Sequence, residues 1–200
     1  MPVFGLTGNL NCGKTTALRL LKKKGACIFN ADEKIHEYYK NKKGSIYKKI
    51  SAVFPQAIFN GAINRQELGK IVFSDRKSLL RLEAIVHPAA VKDLKSWVKK
   101  AKQSGRVCVT EVPLLFEKNL EGIFDGIILV YVKRGVLLKR IKKNLKLSAT
   151  TASARLRCFN PVEKKMKKAD FIINNSFGME TLKREIDSLW EKLIKITEYR

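Results

Sequence analysis

Gly8-Asn9-Leu10-Asn11-Cys12-Gly13-Lys14-Thr15 is the stretch whose reading decides the fold. It spells G-x-x-x-x-G-K-[ST]. The apolar run Val3-Phe4-Gly5-Leu6 before it has the character of a short buried strand, and Thr16 to Lys22 after it reads as a helix. Strand, glycine loop and helix together make the pattern a phosphate cradle. Backbone N–H groups of the loop and the helix N-terminus face the phosphates, where the helix dipole also favours negative charge. Gly8 and Gly13 frame the loop, and Gly13 permits a backbone conformation that a Cβ forbids. Lys14 is placed to reach the β- and γ-phosphates, and the Thr15 hydroxyl to ligate Mg²⁺.

Outward from the loop, apolar runs alternate with helical patterns. Gly25 to Asn30 reads as a second strand, and a helix over Glu33 to Tyr39 has Asp32 at its N-cap position. Gly44 to Phe54 is an amphipathic helix, Phe59 to Ala62 a turn or short hairpin, and Arg65 to Phe73 a helix. Ser74-Asp75 caps a longer helix that the sequence breaks at His87-Pro88, with another helix running on to about Ser104. Gly105 to Val112, Gly126 to Val132 and Phe171 to Asn174 read as strands, the basic stretch Arg134 to Lys168 as helical, and Met179 to Lys195 as a closing amphipathic helix. Fully apolar strands suit a parallel sheet covered on both faces. The expectation is an α/β chain with a doubly wound, mostly parallel sheet of about five strands, the P-loop NTPase fold. Its core takes about 1–32, 104–133 and 169–200. A helical substrate-side region takes about 33–103, and a helical lid about 134–168.

The 200 residues, 45% of them hydrophobic, suffice for one full core. No apolar run has transmembrane length and no signal peptide is apparent, so a cytoplasmic location with no membrane partner is expected. Cys12, Cys27, Cys108 and Cys158 lack zinc-site or disulfide spacing. Cys27 and Cys108 lie in apolar runs, as buried structural thiols do. Cys12, at a helix N-terminus beside a lysine, is expected to have a lowered pKa and to be open to oxidation or alkylation. The net charge of +23, from 41 Lys and Arg against 18 Asp and Glu, fits polyphosphate substrates, nucleic acid, or a general lysine bias with solvated helix faces. Nucleic acid has only the charge in its favour, since no base-stacking segment is visible.

Ligands in open α/β sheets bind beyond the carboxyl ends of the strands. Asp32, after the second strand, is placed to take a proton from an acceptor hydroxyl, and Glu111, at the end of the third, to organise Mg²⁺. Arg134, Arg140 and Arg155 are lid candidates for neutralising charge on a transferred phosphoryl group. Another small-molecule kinase of this fold, acting on a nucleotide or nucleoside, remains an alternative.

The ordered set of segments resembles the dephospho-CoA kinase family through nearly the whole chain. Leu6-Thr7-Gly8 with Gly13-Lys14-Thr15 is similar to its phosphate loop, and Asn30-Ala31-Asp32 stands where the family has D-A-D. Asn64-Arg65-Gln66-Glu67-Leu68 to Val72-Phe73 resembles D-R-x-x-L-x-x-x-V-F, and Leu82-Glu83 to His87-Pro88 resembles L-E-x-I-x-H-P. Val112 to Glu117 is close to V-P-L-L-F-E, and Ala169 to Asn175 is similar to A-D-x-V-I-x-N. The resemblance implies transfer of the ATP γ-phosphate to the ribose 3′-hydroxyl of dephospho-CoA, with ATP and Mg²⁺ required. Asp32, Lys14 and Arg140 would be catalytic, and Gly8, Asn11, Cys12, Gly13, Lys14, Thr15, Thr16 and Asn175 would bind ATP, Asn175 near the adenine. Asp32, Arg65 and His87 would hold dephospho-CoA, and Thr15 and Glu111 the metal. The chain is expected to be a monomer or weak homo-oligomer. It departs from the family at Asn11 and Cys12, which replace glycine and serine, and at Asn30. It departs again at Lys143-Asn144, at Arg155 to Phe159 where a glutamine is usual, and at Phe177. Lys14, Thr15, Asp32 and Glu111 all remain, so an active enzyme is expected.

Overall fold

The computed structural model describes residues 1–29, 31–145 and 161–198, with the side chains of these except 31–33, 144, 145 and 198. The elements are β1 (Val3–Gly8), α1 (Lys14–Lys23), β2 (Cys27–Phe29), α2 (Ala31–Lys40), α3 (Ser45–Val53), β3 (Ile58–Phe59), β4 (Ala62–Ile63), α4 (Arg65–Ser74) and α5 (Arg76–Ala101). Then follow β5 (Cys108–Glu111), β6 (Gly126–Tyr131), α6 (Arg134–Leu145), α7 (Val162–Met166), β7 (Phe171–Asn174) and α8 (Met179–Glu198). The backbone divides into two compact units, residues 1–29 with 97–200, and residues 30–96.

The first unit is built on a five-stranded sheet of order β2-β5-β1-β6-β7. Every pairing in it is parallel, so the expected doubly wound α/β sheet is the observed one. All six residues of β1 are buried, as are five of six in β6. This is the burial that parallel strands covered on both faces require. Leu21 of α1, Ile141 of α6 and Leu182, Ile186 and Leu193 of α8 pack into the same core as Phe4, Leu6, Ile128 and Val130. The chain passes from one side of β1 to the other between β5 and β6. Because the strands are parallel, the segments after β1, β5 and β6 all open at one edge, the usual ligand edge of such sheets.

The second unit has its own core, in which Ile50, Phe54, Ala57, Leu68, Val72 and Val86 are buried. The β3–β4 hairpin turns on Asn60-Gly61, with φ 48° and 66°, the Asn-Gly pairing favoured in two-residue hairpins. Asn64 caps α4, its side chain accepting hydrogen bonds from the Gln66 and Glu67 N–H groups. Asp75 caps α5 in the same way, accepting from Lys77 at 3.1 Å and Ser78 at 2.7 Å. A hydrogen bond from the Ser78 side chain, with these N–H bonds beside it, holds the Asp75 carboxyl below its ordinary pKa.

Two expectations fail here. His87-Pro88 does not break the helix, and α5 runs unbroken through Pro88 for 26 residues. Proline at 88 removes the N–H that would bond the Ala84 carbonyl, at a cost of about 3 kcal/mol in a helix interior. Val86, Leu94, Val98 and Ala101 are buried on either side of it. Burial of such side chains stabilises by roughly 1.5–3 kcal/mol each for the larger ones, enough to carry the helix across the proline. Asp32, likewise, lies inside the first turn of α2 and not at its cap.

Replacing Pro88 by alanine restores the missing donor in a helix that packing already holds. Pro88→Ala is expected to raise the urea midpoint, with a gain of about 1–3 kcal/mol. A lowered midpoint would mean that the proline is preferred at this point of α5.

Candidate active site

β1 delivers the chain to the ligand edge at Gly8, which pairs in register with Val130 of β6. A Cβ on Gly8 would lie 2.5 Å from the Val130 carbonyl oxygen and 2.6 Å from Cys12 Sγ, so only glycine fits between strand and loop. The loop then turns tightly, with the Cys12 N–H donating to the Asn9 carbonyl. Asn11 takes a left-handed φ of 57°, which Asn tolerates better than most residues because its short amide can bond locally. Its Nδ2 is buried with no hydrogen-bond partner among the described residues. Gly13, at φ 96°, is the N-cap of α1.

Lys14 begins α1 and is buried. Its ammonium donates to the carbonyls of Gly8 at 3.3 Å and Asn9 at 3.1 Å, and stands 4.0 Å from Glu111 Oε1. Glu111 is in register with Leu6 of β1, which brings a strand-end acid beside the loop. The Thr15 hydroxyl donates to Glu111 Oε2 at 3.1 Å. Leu10, Asn11, Gly13, Thr16 and Pro113 complete, with Lys14, Thr15 and Glu111, the lining of a cleft of about 440 Å³. An ammonium, a hydroxyl and a carboxylate on one cleft at a helix N-terminus suit a polyphosphate with a hard cation.

Cys12 corrects an expectation. Its thiol is buried in the sheet core and not displayed in the loop. Burial pushes its pKa up, and the nearby Lys14 charge only partly offsets that. A low dielectric penalises the thiolate more than one lysine stabilises it. Cys12 is not among the residues that line the cleft. Cys108 is buried as expected, and Cys27, opposite it in register, is half-buried. Asn175 follows β7 and is buried, and its side-chain Nδ2 donates to the Cys12 carbonyl at 2.8 Å.

Arg140 is half-buried on α6 and Arg134 exposed at its first residue, and neither lines the cleft. Arg155 lies outside the described residues. Asp32 is placed by its backbone only, at the start of α2.

In the second unit Arg65, at the start of α4, lines a cavity of about 430 Å³ together with His36, Tyr39, Leu68, Val72 and Leu82. An adjoining pocket of about 390 Å³ shares His36, Tyr39 and Arg65 and adds Lys40 and Lys42. Burial raises the Tyr39 phenol pKa while the Arg65 charge draws it down. The Tyr38 hydroxyl donates to Asp93 at 2.7 Å, pinning α2 to α5. His87 is half-buried on α5 and lines neither cavity.

Sequence reasoning passed over His36 and Tyr39. Their i, i+3 spacing puts them on one helix face, but nothing in that spacing points to Arg65. It also passed over Lys165, in the basic stretch expected to be lid or solvated face. Lys165 is only 1% exposed and pairs with Glu117 at 2.8 Å. Its neighbour Lys168 pairs with Glu121 at 3.1 Å. Glu117 closes the Val112 to Glu117 segment, so the buried pair ties α7 to the loop that follows Glu111.

A family model described as dephospho-CoA kinase matches residues 2–181. The chain belongs to the dephospho-CoA kinase family. It is 36% identical over 196 residues to a dephospho-CoA kinase of Bartonella quintana, covering 98% of this chain and 100% of that protein. It is 36% identical over 195 residues to one from Carboxydothermus hydrogenoformans, covering 96% and 94%. The solved structure of a dephospho-CoA kinase from Campylobacter jejuni superposes with a TM-score of 0.71 at 25% identity, covering 96% of this chain and 97% of that one. Members of this family are ATP-dependent kinases.

The raised Cys12 pKa has a readable consequence. The proton held by burial contributes stability that is fully present below the ordinary thiol value of 9.0 and is lost as pH rises above it. The stability gap between wild type and Cys12→Ala should therefore narrow above that value in denaturant titrations. Iodoacetamide at about pH 8 should label Cys27 well before Cys12. Equal labelling rates would put the Cys12 thiol at the surface.

Proposed function

We propose that this chain transfers the γ-phosphoryl group of ATP to the ribose 3′-hydroxyl of dephospho-CoA, giving coenzyme A and ADP. The observation that carries this reading is the cleft of Lys14, Thr15 and Glu111 on a chain that the family model matches over residues 2–181. The loop N–H groups and Lys14 bind the β- and γ-phosphates. Lys14 exchanges two neutral carbonyls for phosphate oxygens, a stronger, charge-assisted partner. Thr15 and Glu111 offer the oxygen ligands that suit Mg²⁺, which when bound neutralises phosphate charge. Asp32 is the base. The 3′-oxygen bonds to the γ-phosphorus, the bond from that phosphorus to its β-bridging oxygen breaks, and ADP leaves with the electron pair. The hydroxyl proton passes to the Asp32 carboxylate.

The cavity with Arg65, His36 and Tyr39 supports a place for the acceptor, since cations and an aromatic face suit a nucleotide carrying phosphates. His87 is assigned to the same substrate region, and Arg140 to a lid over ATP, of which 146–160 lie outside the described residues. The enzyme is proposed to act in the cytoplasm as a monomer or weak homo-oligomer, without a nucleic-acid partner. No described helix is long and apolar enough to cross a membrane.

ATP consumption measured in parallel with dephospho-CoA, AMP and nucleosides should respond to dephospho-CoA. Preference for AMP or a nucleoside would replace this substrate. Asp32→Asn should keep ATP affinity and lose about 10²–10⁴-fold in kcat, the usual worth of a general base. Turnover within a few-fold of wild type would remove Asp32 from the mechanism.

A further inference from the structure

The first unit contains one contact that the proposed chemistry leaves unused, between the segment after β7 and the phosphate loop. The Asn175 N–H donates to the Tyr131 carbonyl at 2.8 Å, so its backbone stays fastened to the end of β6 beyond the last β7 residue. From that anchor its side-chain Nδ2 donates to the Cys12 carbonyl at 2.8 Å, and the residue is only 6% exposed. The amide also occupies the space beside Gly13. A Cβ on Gly13 would lie 2.3 Å from Asn175 Nδ2. Glycine at 13 suits both its φ of 96° and the Asn175 amide, which occupies the place a Cβ would take.

We propose that Asn175 is a positioning residue that clamps the phosphate loop and aims the Gly13 N–H into the cleft. No described peptide is cis, and in a trans peptide the C=O and N–H point in opposite directions. A Cys12 carbonyl held on Asn175 therefore turns the Gly13 N–H the other way, and Gly13 lines the cleft. The bond is buried, so removing the amide takes a partner from a buried carbonyl. Asn175 acts through the loop backbone and does not read the base. The proposal rests on the cleft being the ATP phosphate site.

The difference between clamp and base contact is measurable. Asn175→Asp keeps the shape but sets a carboxylate against the Cys12 carbonyl, and Asn175→Ala removes the donor. KM for ATP should rise by about 10- to 100-fold in both, more in Asn175→Asp. KM for GTP and the inhibition constant of inorganic tripolyphosphate should rise by the same factor. The kcat at saturating nucleotide should stay within about three-fold, and KM for dephospho-CoA should not move. A ligand-free readout runs beside these. Cys12 lies under the same loop, so its alkylation should speed up at least about ten-fold in Asn175→Ala while Cys27 labelling is unchanged. A changed ATP:GTP ratio with unchanged tripolyphosphate inhibition would overturn the clamp in favour of a base contact. Variants that bind all three ligands as wild type does would overturn it outright. Wild type that binds neither ATP nor tripolyphosphate would instead overturn the phosphate-site reading, and the clamp's ligand role with it.

Discussion

A row of backbone N–H groups can hold phosphate only if the loop carrying it is gripped from behind, and here the grip is the burial of Cys12. Its side chain enters the core under the loop and fills the space beside Gly8, where a Cβ would stand 2.6 Å from Sγ. The strand end, the thiol and the Val130 carbonyl leave no slack at that point. Close packing of this kind makes a small shift costly and gives the loop one conformation. The chain's Asn11 fits the same demand, since it supports a left-handed turn without glycine. Cys12 in place of serine gives the core an apolar, polarizable filler instead of a hydroxyl that burial would penalise.

The charges at the cleft follow from that fixed backbone. Lys14 is buried, and a buried ammonium needs partners. Two loop carbonyls and the nearby Glu111 supply them. Glu111 reaches the loop because β5 lies beside β1 in register, so a residue 96 positions after Thr15 accepts its hydroxyl hydrogen bond. Farther along, Lys165 is buried against Glu117. Removing one member of such a pair strands the other charge, at a typical cost of 3–5 kcal/mol, so the pair fixes where α7 returns to the sheet.

The second unit follows the same logic with different means. Asn64 and Asp75 set the starts of α4 and α5, and the Tyr38–Asp93 hydrogen bond fixes α2 against α5. These fastenings hold His36, Tyr39 and Arg65 around shared cavities. Continuous packing along α5 carries the helix through Pro88, so His87 sits on a helix face and not at a break.

Strand positions, the parallel sheet and the phosphate loop were legible from the sequence because each is a local pattern. Continuous apolar runs mark buried strands, and Gly8, Gly13, Lys14 and Thr15 stand at spacings that backbone geometry requires. The cap at Asp75 belongs to the same class, since a side chain there bonds N–H groups two and three residues on. What the sequence misjudged depended on distant partners. A proline at 88 and a thiol beside a lysine at 12 each have an intrinsic preference, and burial overrode both. Asn175 lies 163 residues from Cys12, and Lys165 lies 48 from Glu117. The sequence by itself determined which groups could meet a phosphate. Only the tertiary structure decided which are buried, because burial sets the cost of a charge or an unpaired donor, and that cost depends on residues brought together from across the chain.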